Sequence, residues 1–276
     1  MEGEGSPPYA LRQGKRVRLL IHKEWEREDL LEILFCQPER IQGNPVVEPI
    51  PTSKGSRVFK IKGAKGELYL KYFRNLGWMD RIKSLVRGTK GERSWRGGDL
   101  LRRLGFNTPP LIALGRSTSL LAPPVDFLVT RAVSGPRLKQ LLKDGLQDRL
   151  SEKGWGKGPF LKMLAITIAE LHRRGVYHGD LNPTNILVDL ESDLGLLTFC
   201  FLDNARCRPM KRVPDALRIK DLSGLNSARL PSLSIRDRLR FFSIYQRQLG
   251  AKDPKEMIEK IRQRSSRPRK RHRRSS

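Results

Sequence analysis

Cysteine is scarce in this chain: Cys36, Cys200 and Cys207 are the only three, with no CxxC spacing and no Cys–His cluster. An odd, scattered set argues against a disulfide framework and against a structural metal, and it points to a reducing compartment. Long apolar runs are missing as well. None approaches the roughly 18 residues a membrane span needs, so any membrane association should be peripheral. The opening Met1-Glu2-Gly3-Glu4 lacks the basic start and apolar stretch of a signal peptide, which gives the expectation of a cytoplasmic protein. Acidic residues are also in short supply, 29 against 55 Lys and Arg, for a formal net charge of +26. A field of that sign draws nucleic acid, anionic lipid, nucleotide, or a phosphorylated or carboxylated sugar. The alternative is a basic surface that serves solubility alone.

What is present reads as two lobes. The 276 residues, 38% hydrophobic, suffice for one large domain or two small ones. Residues 1–16 read as a loose lead-in, and 24–36 as a short amphipathic helix. Strand texture follows at Val46-Val47, Val58–Ile61 and Leu68–Phe73, punctuated by Gly55, Gly63 and Gly66. Arg81 to Leu104 reads as one basic helix stopped by Gly105 and Pro109-Pro110. Two further strands are expected at Leu111–Leu114 and Phe127–Val133, then a short helix at Leu138–Leu142. The helix Phe160–Arg174 carries Leu161, Leu164, Ile168 and Leu171 at helical period and ends at Gly175. Ile186–Val188 and Leu197–Leu202 read as a hairpin, and Arg236–Leu249 as a helix. Arg262–Ser276, nearly all Arg, Lys, Ser and Pro, cannot bury a core and reads as a disordered tail. Strands first and helices later, with a linker near 130–137, give an α+β, two-lobed architecture.

The chemistry concentrates at His178-Gly179-Asp180-Leu181-Asn182-Pro183-Thr184-Asn185. Phosphoryl transfer needs a carboxylate beside the attacking hydroxyl and an oxygen donor that holds Mg²⁺ on the phosphates. An Asp and an Asn five positions apart on one loop supply both. His178 would brace the loop. Asp203, after the apolar run Phe201-Leu202, is placed to be the principal metal ligand, although Asp-Asn pairs also simply form turns at strand ends. Lys71, between Leu70 and Tyr72, alternates onto one strand face, where it can reach the α- and β-phosphates of ATP or serve as an ordinary solvated lysine.

These stretches, in this order, resemble the protein-kinase-like superfamily. More narrowly, Tyr69–Phe73, Ser94-Trp95-Arg96, Leu104–Pro109, His178–Asn185, Phe201–Asp203 and Asp237–Tyr245 are similar to the bacterial kinases that phosphorylate Kdo or heptose of the lipopolysaccharide core. The resemblance implies a small antiparallel-sheet N-lobe over 46–133 and a mainly helical C-lobe over 134–261. Residues 1–45 would be an N-terminal extension and 262–276 a tail. It implies that Asp180 orients the acceptor hydroxyl and takes its proton, that Asn185 and Asp203 hold Mg²⁺, and that Lys71 holds the ATP phosphates. Adenine would sit against backbone groups of Val129 to Ala132. The acceptor would be a lipid A-linked sugar at the cytoplasmic face of the inner membrane.

The pattern has departures. Thr52-Ser53-Lys54-Gly55-Ser56 stands where a Gly-rich loop belongs, with a single glycine. The acidic partner of Lys71 is either Glu92 or, by register, a position occupied by Ser94. Asn204-Ala205 replaces Phe-Gly, and no Ala-Pro-Glu segment follows, which argues against a protein substrate. Two basic groups could guide an anionic acceptor: Arg81, Lys83, Arg87, Lys90, Arg93 and Arg96, and then Arg206, Arg208, Lys211 and Arg212. The Arg262–Arg274 tail suits an anionic bilayer or nucleic acid. Without aromatics among the basic runs, nucleic acid ranks below the membrane. The rival readings are an atypical Ser/Thr/Tyr protein kinase and a non-catalytic basic binding protein on a kinase scaffold.

Overall fold

Alternating apolar positions in the first half of the chain build one seven-stranded antiparallel sheet in the computed structural model. The structure describes residues 8–36, 38–41, 43–52, 55–63, 65–73, 78–118, 125–143, 146–190, 197–226, 232–250 and 254–266. The chain divides into two units, Met1–Asp99 with Pro109–Val133, and Leu100–Thr108 with Ser134–Ser276.

The first unit runs β1 (Tyr9–Gln13), β2 (Val17–His22), α1 (Glu28–Phe35), α2 (Pro38–Ile41), β3 (Val47–Ile50), β4 (Ser56–Gly63), β5 (Gly66–Phe73), α3 (Trp78–Arg87), α4 (Lys90–Arg103), β6 (Leu111–Ser117) and β7 (Asp126–Arg131). The strand order is β1-β2-β6-β7-β5-β4-β3. Period two sorts the side chains between the faces. Leu19, Ile21, Leu68, Leu70, Phe127 and Val129 pack on α1 through Leu30, Ile33 and Leu34. Phe73, Leu111 and Leu128 lie on the other face with Trp95 of α4.

Two expectations change here. The lead-in contains a strand, because β1 pairs along its length with β2. Its last three residues are exposed, so this edge strand leaves little apolar signature. The single basic helix is two helices. Gly88, at φ +77°, breaks it, and α4 restarts on a capping box in which the Thr89 amide donates to Glu92 Oε2 (2.9 Å) and the Glu92 amide donates to Thr89 Oγ1 (3.2 Å). Buried Asp126 accepts from Thr89 Oγ1 (2.7 Å) and the Gly91 amide (3.0 Å), and its burial raises its pKa.

The second unit comprises α5 (Leu138–Leu141), α6 (Leu146–Ser151), α7 (Lys157–Arg173), β8 (Val176–Tyr177), β9 (Ile186–Asp189), β10 (Thr198–Phe201), β11 (Arg208–Pro209), α8 (Asp215–Leu225), α9 (Ile235–Leu249) and α10 (Pro254–Ser266). Its core gathers Phe160, Leu164, Ile168 and Leu171 of α7 with Ile186, Val188, Phe199, Phe201, Leu222 and Phe242. The expected hairpin is the antiparallel pair β9–β10. α8 was not anticipated, and the reason is physical: its buried positions include Arg218, Asp221 and Ser223, so polar residues interrupt the apolar period. The expected tail does not hold for residues 262–266. α10 carries the chain helically to Ser266, held by buried Met257 and Ile261, while residues 267–276 lie outside the described residues.

Candidate active site

The loop after α7 is held mainly by its backbone. Gly175, at φ +73°, turns the chain where a Cβ would collide with the Met210 carbonyl, and β8 then pairs with β11. His178 is fully buried, and that burial lowers its pKa, so the ring is neutral. Its Nδ1 accepts from the Asp180 amide at 3.4 Å, which places the ring proton on Nε2. Gly179, at φ +78°, completes the turn that presents the half-buried Asp180.

What anchors this turn is Asp221 of α8, a residue that sequence reasoning missed. Its two oxygens accept from the His178 amide (2.9 Å) and the Gly179 amide (3.0 Å). Oδ2 also meets His172 Nε2 at 3.4 Å, and His172 Nδ1 lies 2.7 Å from the Tyr245 hydroxyl. The Asp221 carboxylate can only accept, so the ring meets it through an Nε2–H. Gly224, one turn along α8, lies so close to the Leu181 carbonyl that a Cβ there would overlap it. The only hint of Asp221 in the sequence was an acid on the wrong side of an amphipathic pattern.

Asp180, Asn185 and Asp203 come together in this unit. Asn182 caps the 3-10 turn Pro183–Asn185, accepting from the Thr184 amide (2.9 Å) and donating to the Asp180 carbonyl (3.0 Å) and to Asp180 Oδ1 (3.4 Å). Asn185 Nδ2 donates to the same Asp180 carbonyl at 3.0 Å, which fixes its amide plane. The β9–β10 register sets Ile186 opposite Phe201, and the Leu202 amide donates to the Asn185 carbonyl at 2.8 Å. Asn185 and Asp203 therefore stand at the same end of the hairpin. Asp203 is the one non-glycine residue with positive φ among the described residues (55°), a conformation that costs energy and is concentrated at functional sites. The Asn204 that follows is buried and donates to Thr108 Oγ1 at 2.7 Å, so this departure from Phe-Gly has a structural use.

Lys71, Val129 and Ala132 lie in the first unit. Lys71 sits between Val58 of β4 and Leu128 of β7, on the face opposite Leu70 and Tyr72, with Nζ 5.5 Å from the Phe73 ring centroid. Glu92 is committed elsewhere, to the α4 cap and to Arg116 Nη1 at 2.7 Å. Ser94 is buried and donates to the Lys90 carbonyl at 2.8 Å. Val129 stands opposite Leu70 and Ala113 in the sheet, and its side chain is in the core. The Ala132 amide is spent on the Glu67 carbonyl (2.8 Å). Ser53 and Lys54 of the short phosphate-loop candidate lie outside the described residues; Thr52 Oγ1 donates to the Ser56 carbonyl at 2.8 Å.

The model of the lipopolysaccharide kinase (Kdo/WaaP) family matches residues 40–245. The chain belongs to this family. A lipopolysaccharide kinase is a phosphotransferase that uses ATP. Two curated relatives, the 3-deoxy-D-manno-octulosonic acid kinases of two Vibrio vulnificus strains, are each 26% identical over 189 residues, covering 66% of this chain and 75% of theirs. Among solved structures, WaaP in complex with acyl carrier protein matches with a TM-score of 0.62 at 19% identity, covering 90% of this chain and 98% of that one. That likeness establishes the two-lobed protein-kinase-like fold of this lipopolysaccharide kinase: an antiparallel-sheet N-lobe and a mainly helical C-lobe.

Proposed function

We propose that this lipopolysaccharide kinase moves the γ-phosphoryl group of ATP to a hydroxyl of Kdo in the lipid-linked inner core, at the cytoplasmic face of the inner membrane. The observation that carries the reading is the junction of Asp180, Asn185 and Asp203 described above. In this reading the acceptor oxygen attacks the γ-phosphorus, the bond to the β-phosphate oxygen breaks, ADP leaves, and the hydroxyl proton passes to Asp180. Asn182 and Asn185 serve by holding the Asp180 segment still, which matters because positioning and electrostatics are nearly all that phosphoryl transfer asks of a protein. Lys71 is assigned to the ATP phosphates.

An amide oxygen and a carboxylate are hard ligands that suit Mg²⁺, which takes one or two carboxylates and completes its shell with phosphates and water. Asn185 and Asp203 fit that need, and the ion would neutralise charge on the transferring phosphoryl group. Strand alternation turns the Ala132 amide toward Glu67, so the Arg131 carbonyl and the Val133 amide face the other way. We assign the adenine edge to those two groups in place of Val129 and Ala132. The names of the curated relatives favour Kdo over heptose.

Labelled ATP supplied with lipopolysaccharide whose core ends at Kdo tests this. Label should enter the lipid fraction, and Asp180→Ala should cut its transfer by about 10²–10⁴-fold. Undiminished transfer by that variant, or label that requires heptose, overturns the assignment. Label found on added protein instead would support the protein-kinase reading.

A further inference from the structure

We propose that α3 is the surface by which this enzyme docks on an anionic phospholipid bilayer. The inference builds on the membrane-face reading above and adds the element that makes the contact. Large apolar side chains are seldom exposed among the described residues, yet three of them share α3: Ile82 at 52%, Leu85 at 64% and Val86 at 86%. The i, i+3, i+4 spacing sets all three on one stripe of a single helix. A stripe left in water in this way marks a surface made for a partner.

The core of the unit does not call on this stripe. One sheet face is covered by α1 and the other carries Trp95 of α4. α3 is nonetheless held in place at its C-terminal end. The Gly88 amide donates to the Ser84 carbonyl (2.9 Å) at the left-handed turn, and Arg96 Nη2 of α4 donates to the Arg87 carbonyl (2.8 Å). The result is a ten-residue helix with an exposed apolar stripe.

Charge selects the partner. The α3 sequence has one acid, Asp80, against Arg81, Lys83 and Arg87, and α4 continues with Lys90, Arg93 and Arg96. The sequence also places Trp78 one turn before Ile82. A short amphipathic helix with basic residues beside its apolar stripe lies in the plane of a membrane interface, and anionic headgroups strengthen the contact. A second copy of so cationic a chain would be repelled from the same face. None of the described helices is long and apolar enough to cross a membrane.

The test uses the full chain and vesicles of phosphatidylethanolamine with phosphatidylglycerol, free of lipopolysaccharide, so its result does not depend on the acceptor assignment. Wild type should co-sediment with these vesicles and hardly at all with phosphatidylcholine. Leu85→Glu with Val86→Glu should lower the partition coefficient about tenfold or more, while thermal stabilisation by Mg-ATP stays as in wild type. A second readout is independent of that variant: Val86→Cys in a Cys36→Ser background, labelled with an environment-sensitive fluorophore, should brighten on the anionic vesicles. Wild-type binding by the double variant, loss of binding only when residues 267–276 are removed, or sedimentation of wild type as a dimer that the double variant abolishes would each overturn the proposal.

Discussion

Asp221 shows how much of this enzyme depends on one buried carboxylate that touches no substrate in the proposed reaction. It holds two consecutive loop amides, and Asp221→Asn offers only one oxygen acceptor for them. Leaving a buried donor unsatisfied costs about 1–3 kcal/mol. The variant should therefore lower kcat about tenfold or more, with the KM for ATP little changed. Tyr245→Phe should act in the same direction but more weakly, since it strands only His172 Nδ1, at a cost of about 1–2 kcal/mol in urea unfolding. Steady-state kinetics of both variants check this, and a fully active Asp221→Asn would mean that the loop is held by something else. Tyr245, at the end of the Asp237–Tyr245 stretch of the family likeness, has a structural reason in this chain of bonds.

Helices set the loop from two sides, and each can be probed by itself. α8 approaches so closely that Gly224→Ala should force the helix off the Leu181 carbonyl, a form of overpacking that costs about 1–3 kcal/mol. Activity should fall with stability, and a variant of unchanged melting temperature would contradict the close approach. α7 ends on Glu170, which accepts from Arg173 Nε at 2.6 Å and from Arg174. The arginine hydrogen bonds hold its pKa down to about 2. A carboxylate depressed in the folded state contributes stability above its ordinary pKa of about 4.5 and loses it as pH falls toward 2. Both arginines are well exposed, so screening keeps the contribution to about 1 kcal/mol or less. Glu170→Gln should thus be slightly destabilised at pH 7 and match wild type near pH 2, as read by urea unfolding across that range.

For the chain as a whole, the net charge of +26 matters most to encounter with an anionic acceptor. Raising salt from low to physiological ionic strength shortens the Debye length to about 8 Å. It should lower kcat/KM for the lipid-linked acceptor several-fold while leaving kcat nearly constant, since steering acts on approach. A salt-independent kcat/KM would assign the basic surface to solubility.

The chain order alone was enough for the loop that bears Asp180 and Asn185, for α7, and for the hairpin that ends at Asp203, because each is contiguous and obeys a period of 3.6 or 2. α8, the break at Gly88 and the edge strand β1 escaped notice. Their signals are buried polar residues, one left-handed glycine and a half-exposed strand, none of which carries an apolar period. Which acid serves which partner could not be read in advance either. Glu92 caps α4 and pairs with Arg116, and Asp221 seats a loop more than forty positions upstream. Local patterns are written into neighbouring residues, whereas a buried carboxylate takes the donors that packing happens to bring beside it, and that is decided only once the chain has folded.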